Sequence, residues 1–220
     1  VYSYRHAAAI LSTSFPEELK DIERALLAFR ISKRDIGMPG GNESDMPKKI
    51  SQTLRPAGWV EARIQGDLLV RMQEYSEEFQ DDGKVKKTKH PEKEARRIEN
   101  FIDGHKIDYV KGRVAFDLEW NSKDQTFDRD LYAMRAFHEC GLVSLGIMLT
   151  RSEKLNPVFE KVPQLDKSGS EVGKTVRAKY GASTTWMGKL LYRLNAGRHG
   201  GCPVLVFGIT PKLITDWEEA

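Results

Sequence analysis

Two stretches of the 220-residue chain repeat one order of elements, and that order restricts the fold more than any other feature. Ile107–Val110 and Arg113–Trp120 are strand-like runs separated by Lys111-Gly112. Asp128–Cys140 follows at helical spacing, with Leu131, Met134 and Phe137 on its inner face and Gly141 ending it. Val143–Thr150 is then an apolar run of strand length. Strand, helix, apolar strand is a βαβ unit, which implies a parallel pair and a right-handed crossover. A second round follows, with Ser183–Leu194 as helix, Gly197–Gly201 as loop and Pro203–Thr210 as strand. The predicted architecture is α/β, a mixed central β-sheet flanked by helices, in a single domain over residues 1–220.

Local signals fill in the remainder. Tyr2–Tyr4 reads as extended and Ala7–Leu11 as a short apolar turn. Ser14-Phe15-Pro16-Glu17 reads as a helix start with Ser14 as the cap, and Leu19, Ile22, Leu26 and Phe29 continue at helical spacing. Gly37–Asp45 is a glycine-rich polar loop and Lys48–Leu54 a short helix. Trp59–Ile64 and Leu68–Met72 alternate around Gln65-Gly66-Asp67, which predicts a hairpin. Glu77–Thr88 is polar and is expected as a loop; Pro91-Glu92-Lys93-Glu94 opens a helix to about Phe101, with Glu99 on its exposed side.

Composition removes several classes. No apolar run reaches the ~18 residues of a membrane span. The two cysteines, Cys140 and Cys202, are too few for a disulfide-stapled fold or a cysteine-rich zinc site, so reduced thiols in a cytosolic protein are expected. The chain opens on Val1, so a few residues are expected upstream, and no signal-peptide pattern is read at its start. His105 and His138 have no ligand partner at useful spacing, and Arg198–Gly201 follows no strand as a nucleotide loop requires. The net charge of +3 is small, but Lys84–Lys106 holds eight basic and four acidic residues and Asp166–Arg198 seven and two. Two such stretches point to a polyanion surface, against the ordinary reading of solvated faces.

The strand Arg113–Trp120 carries the chemistry. Val114, Phe116, Leu118 and Trp120 share one apolar face, so Ala115, Asp117 and Glu119 share the other. With a Lys111-Gly112 turn, Asp108 lies opposite Ala115, on the face of Asp117 and diagonal to it. Acids on a strand face are common in so charged a chain. Three beside one small residue repel each other, and a divalent cation such as Mg²⁺ relieves that repulsion through oxygen ligands. Paired carboxylates also serve glycosidases, but these acids crowd one face instead of flanking a groove.

Asp108-Tyr109-Val110-Lys111-Gly112-Arg113-Val114-Ala115-Phe116-Asp117-Leu118-Glu119 resembles the active-site hairpin of type II restriction endonucleases of the BglII/BstYI group, in the PD-(D/E)XK nuclease superfamily. Tyr2-Ser3 with the Pro16–Phe29 helix, Gly58-Trp59 with Glu61-Ala62-Arg63, and Pro203–Ile209 resemble further segments of that group in the same order. The resemblance implies a restriction-endonuclease-like core and a homodimer that cuts both strands of a short palindromic double-stranded DNA site with Mg²⁺. It implies Asp108 and Asp117 as catalytic, metal-binding acids, the Leu118 carbonyl as a further metal ligand, and Glu119 at a third catalytic position that is Lys in much of the superfamily and Gln in close relatives. A glutamate there orients or deprotonates water but cannot act as a cation. A repair or mobile-element nuclease of the same fold and a non-cleaving DNA-binding module remain as alternatives.

Two segments are candidate DNA contacts. Asn121, Lys123, Asp124 and Gln125 follow the acid strand directly and include typical base-edge readers. Lys174, Arg177, Lys179, Ser183 and Thr184 lie in a basic segment before a helix, where phosphates are expected to be held. The competing reading of both is an ordinary polar loop.

Overall fold

The structure is a computed structural model, which describes residues 1–39, 45–104 and 106–218. In chain order the elements are β1 (Tyr2–Tyr4), α1 (Ala7–Ser14), α2 (Pro16–Ala28), α3 (Lys33–Gly37), α4 (Asp45–Leu54), β2 (Val60–Arg63), β3 (Gly66–Met72), β4 (Tyr75–Phe79), β5 (Val85–Lys89), β6 (Lys93–Ile102), β7 (Lys106–Lys111), β8 (Val114–Glu119), α5 (Thr126–Glu139), β9 (Leu145–Arg151), α6 (Asn156–Lys161), β10 (Pro163–Leu165), β11 (Glu171–Thr175), α7 (Met187–Asn195) and β12 (Val204–Ile209). Most of the expected loop over 37–45, and His105, lie outside the described residues. The chain divides into two compact units, one of Val1–Arg63 with His105–Ala220 and one of Ile64–Gly104.

The larger unit is built on a six-stranded mixed sheet in the order β1-β12-β9-β8-β7-β2. β8 and β12 both pair parallel with β9, so the two predicted βαβ rounds are present, with α5 and α7 in the crossovers. The outer pairs β1·β12, β7·β8 and β2·β7 are antiparallel. Register follows the alternation of the sequence. Phe116 lies beside Ile147 and Leu118 beside Leu149, and all four belong to the main core with Trp59, Tyr109, Phe159 and Leu205. The opposite face carries Ala115 beside Gly146, Asp117 beside Met148 and Glu119 beside Thr150. α5 packs against β7, β8 and β9. Ala115 and Gly146 let it lie close: a Cβ at Gly146 would stand 2.3 Å from Met134 Sδ.

The β7–β8 turn differs from expectation. Lys111 pairs with Val114, so the two turn residues are Gly112-Arg113, not Lys111-Gly112. The turn needs a positive φ at its first central position, and Gly112 supplies +53°. Moving the turn by one residue shifts the cross-strand partners by two, so every side chain keeps its face while Asp108 moves from opposite Ala115 to opposite Asp117. Gly112→Ala is expected to cost about 1 kcal/mol, the penalty of the left-handed region for an L side chain, with Glu18 moving aside. Urea unfolding checks it; no change in midpoint would contradict the turn.

Other boundaries are also corrected. Ser14 is the last residue of α1 and does not cap α2, which starts on Pro16 after Phe15 without a side-chain cap. Ala7–Leu11 is helix, not turn. α7 starts at Met187, because Ser183–Thr185 is tied by backbone hydrogen bonds to residues 122–124. In the smaller unit Leu68–Met72 pairs with β6, not with the Trp59–Ile64 segment, whose β2 pairs with β7. Residues 93–102 are therefore strand and not helix, and Glu99 lies exposed on it. The expected loop 77–88 is a hairpin of β4 and β5 closed at Gly83, where φ is +78°. Pro91, Glu92 and Glu94 are a local helix-start signal, and the non-local ladder with β3 overrides it.

Candidate active site

Asp108 and Asp117 face each other where β7 and β8 part. The last paired residues are Tyr109 and Phe116; beyond them the Asp108 amide donates to Asp117 Oδ1 at 2.8 Å instead of to a backbone carbonyl. Asp117 is 5% exposed, and its Oδ2 has no hydrogen-bond partner among the described residues. Burial, then the charges of Asp130 and Asp108, push its carboxyl well above the usual range, and the Asp108 amide works against them. Asp108 itself is on the exposed side of β7. Desolvation of its carboxyl, with the neighbouring Glu61 charge, raises it, while Arg55, Arg129 and Lys106 pull the other way.

Glu119, 9% exposed, has Ser122 and Asp130 beside its carboxyl and Arg129 Nη2 3.8 Å from Oε1. Burial raises it as well. The Leu118 side chain points into the core on the other face, which leaves its backbone as the part available to the acid side. The structure thus brings Asp108, Asp117 and Glu119 to one face, as the alternation requires. Among the described residues, however, no three His, Cys, Asp or Glu side chains are arranged to hold a metal ion. The expected three-acid cage is replaced by a facing pair with Glu119 to one side. That pair still fits Mg²⁺, which commonly takes one or two carboxylates and completes its shell with water and phosphate oxygens. Among the described residues Asp117 Oδ2 has no hydrogen-bond partner and is free to serve as such a ligand, and Asp130 Oδ2 on α5 is likewise unpartnered.

One acid was not anticipated. Asp130 is 3% exposed on the buried stripe of α5, between Phe127 and Met134, and it faces Glu119. Burial and the Glu119 charge raise it to about 8, while Arg129 opposes them. The signal was available: an aspartate takes a position in an apolar helical stripe where Leu131, Met134 and Phe137 mark the core side.

This predicts the pH dependence of stability. In the unfolded chain Asp130 ionises near the ordinary aspartate value, so between that value and about 8 the folded protein holds a proton that the unfolded chain has lost. The contribution is complete below the lower pKa and lost as pH rises through the upper one. In chelator, stability is expected to fall by on the order of 2 kcal/mol between about pH 6 and pH 8. Asp130→Asn flattens that slope. Thermal melts at fixed ionic strength measure it, and equal slopes in both proteins would contradict the assignment.

The two candidate DNA segments come together at this end of the sheet. The Asp124 amide donates to Ser183 O at 2.9 Å, the Thr185 amide to Ser122 O at 2.9 Å, and Lys123 bridges Thr184. Arg151, 3% exposed and with its pKa lowered by burial to about 10, clamps the join through Thr185 O at 2.6 Å and the Thr184 hydroxyl. Lys123, Gln125 and Ser183 are exposed, and Asn121 is half-buried with its Oδ1 unpartnered among the described residues. Asp124 is held by Lys189 at 2.6 Å and Arg193 at 3.8 Å, and Thr184 is buried. Lys174 and Arg177 are exposed on and just after β11, whereas Lys179 turns inward to the carbonyls of Ile36 and Met38. Part of the basic stretch is also engaged by an acid of the protein itself: Arg193 and Arg198 pair with Asp128 at 3.0 and 2.5 Å.

Among the described residues no helix is long and apolar enough to cross a membrane. A search of curated proteins finds no match. The family of restriction endonuclease BglII/BglIII matches residues 1–209 of the 220, over both the acid pair and the parallel core strands. The chain belongs to this family, and is accordingly a type II restriction endonuclease, an endodeoxyribonuclease acting on double-stranded DNA on a restriction-endonuclease-like fold.

Proposed function

We propose that this endonuclease hydrolyses one phosphodiester in each strand of a short palindromic site, acting as a homodimer with Mg²⁺. A prokaryotic cytoplasmic setting goes with this reading. The observation that carries it is the facing pair Asp108–Asp117, with the buried Asp117 Oδ2 left without a partner among the described residues. These two carboxylates, with the Leu118 carbonyl, would hold the cation. When bound, it supplies Lewis-acid polarisation of the scissile phosphate and acidification of a water.

The protein's own part is positional. Glu119, beside Ser122 and Asp130, orients the attacking water in line and takes its proton, a role suited to a carboxyl raised by burial. The water oxygen bonds to phosphorus as the P–O3′ bond breaks; the 3′-oxygen leaves as a hydroxyl after taking a proton from solvent, and a 5′-phosphate remains. Asn121, Lys123, Gln125 and Ser183 contact base edges and backbone, with Lys174 and Arg177 on phosphates. Asp124, Thr184 and Lys179 support these segments from within. Each protomer has one acid pair, so a twofold dimer on a twofold DNA site is the simplest way to cut both strands.

Plasmid DNA incubated with Mg²⁺ and with chelator tests this. Linear products with fixed ends, lost in chelator, are expected, together with a dimer mass in solution. Random nicking would favour a repair or mobile-element nuclease, and a mobility shift without cutting would favour a binding module.

A further inference from the structure

The inference rests on the nuclease reading. Where much of the superfamily that the acid strand resembles has a lysine, this chain has Glu119. Asp108, Asp117 and Glu119, gathered on one face, would repel an anionic phosphodiester, more so as charge builds on phosphorus in the transition state. A cation is therefore needed beside the metal, and the acid strand itself supplies none.

The following helix does. Arg129 precedes Asp130 on α5, and its Nε and Nη2 each donate to Asp130 Oδ1 at 3.1 Å. Nη2 also stands 3.8 Å from Glu119 Oε1, and the guanidinium charge is felt at both Asp117 and Asp108. The exposures divide sharply. The side chains of Glu119 and Asp130 are 11% and 4% exposed, whereas that of Arg129 is 56% exposed. The anchor is buried while the fork faces solvent, with further N–H donors beyond those used on Asp130. Other cations nearby are differently placed: Lys106 is bonded to Glu61 at 2.7 Å, and Arg55 lies over the Tyr109 ring at 4.5 Å. The small pair Ala115 and Gly146 beneath α5 is what brings Arg129 within reach of the acid strand.

We propose that Arg129 is the catalytic cation of this site, donating to a non-bridging oxygen of the scissile phosphate in place of a lysine at position 119, with Asp130 as the positioning residue that aims it. A guanidinium suits the task because its planar fork matches two phosphate oxygens and keeps its charge at every working pH.

The test compares wild type with Arg129→Gln, Arg129→Lys and Arg129→Ala, all checked for an unchanged melting profile. Cleavage by the Gln and Ala variants is expected to drop about 10²–10³-fold in kcat. DNA affinity measured with Ca²⁺ should hold, Lys should retain part of the rate, and millimolar guanidinium, but not urea, should partly restore the Ala variant. Activity is not the only readout. Mn²⁺ titrated without DNA should bind the Gln variant more tightly than wild type, because a competing cation has left the carboxylates. Weaker Mn²⁺ binding without guanidinium rescue would assign Arg129 to holding the acids in place and overturn the proposal, as would full cleavage by Arg129→Gln. Wild type that cuts no DNA with any divalent cation would overturn the nuclease reading itself, and this inference with it.

Discussion

Asp117→Asn is expected to lower DNA cleavage by about 10³-fold or more, the scale of losing a principal electrostatic element of a phosphoryl-transfer site. The same change is expected to stabilise the metal-free protein. The two effects have one cause. Asp117 sits 5% exposed, its charge disfavoured by burial and by Asp130, Asp108 and Glu119. Without a cation that arrangement stores repulsion, which the neutral amide removes while its oxygen still accepts from the Asp108 amide. In chelator at neutral pH the melting temperature is expected to rise by roughly 2–4 °C, the shift that about 1 kcal/mol produces in a chain of this size. Adding Mg²⁺ should then stabilise wild type and leave the variant nearly unmoved. Plasmid digestion, thermal melts with and without Mg²⁺, and DNA binding in Ca²⁺ measure the three parts. Cleavage within tenfold of wild type would remove Asp117 from the mechanism.

Phe116→Ala is expected to destabilise the larger unit by about 3–5 kcal/mol, the usual range for emptying a buried phenylalanine site. Phe116 is fully buried between Asp117 and Ala115 in sequence, but on the other face of β8, edge-on to Tyr109 at 5.6 Å and beside Ile147 across the ladder. Its ring fixes which face of β8 meets the core, and therefore where the acids point. Activity should fall with stability, and lower temperature should recover part of it. Phe116→Leu should cost less than about 1.5 kcal/mol. Phe79→Ala, at a side chain 78% exposed on β4, should stay within about 0.5 kcal/mol and serves as the control. Chemical denaturation gives all three values; a Phe116→Ala cost near that of Phe79→Ala would contradict the burial.

The acid strand shows how far local pattern reaches. Alternation alone placed Asp117 and Glu119 opposite Phe116 and Leu118, and the structure keeps that division. The turn lies one residue beyond where alternation puts it, and because the partner shift is even Asp108 keeps its face and comes opposite Asp117. Asp130 and Arg129 are not legible from the acid strand because both lie on α5, eleven and ten residues beyond Glu119, in a helix marked by its apolar stripe. Segment 93–102 departs from the expected helix because its helix-start residues are local while its partner, β3, is more than twenty residues away.

The amino-acid order by itself determined the βαβ sequence of elements, the two faces of each inner strand and the gathering of carboxylates on one of them, because side-chain direction in a strand or helix is a property of backbone period and needs no distant partner. Only the tertiary structure decided which strands pair, how closely α5 lies on the sheet above Ala115 and Gly146, and hence that a buried aspartate and a half-exposed arginine join the acid pair. Those outcomes depend on contacts between segments far apart in the chain, where side-chain volume and ladder hydrogen bonds outweigh local preference.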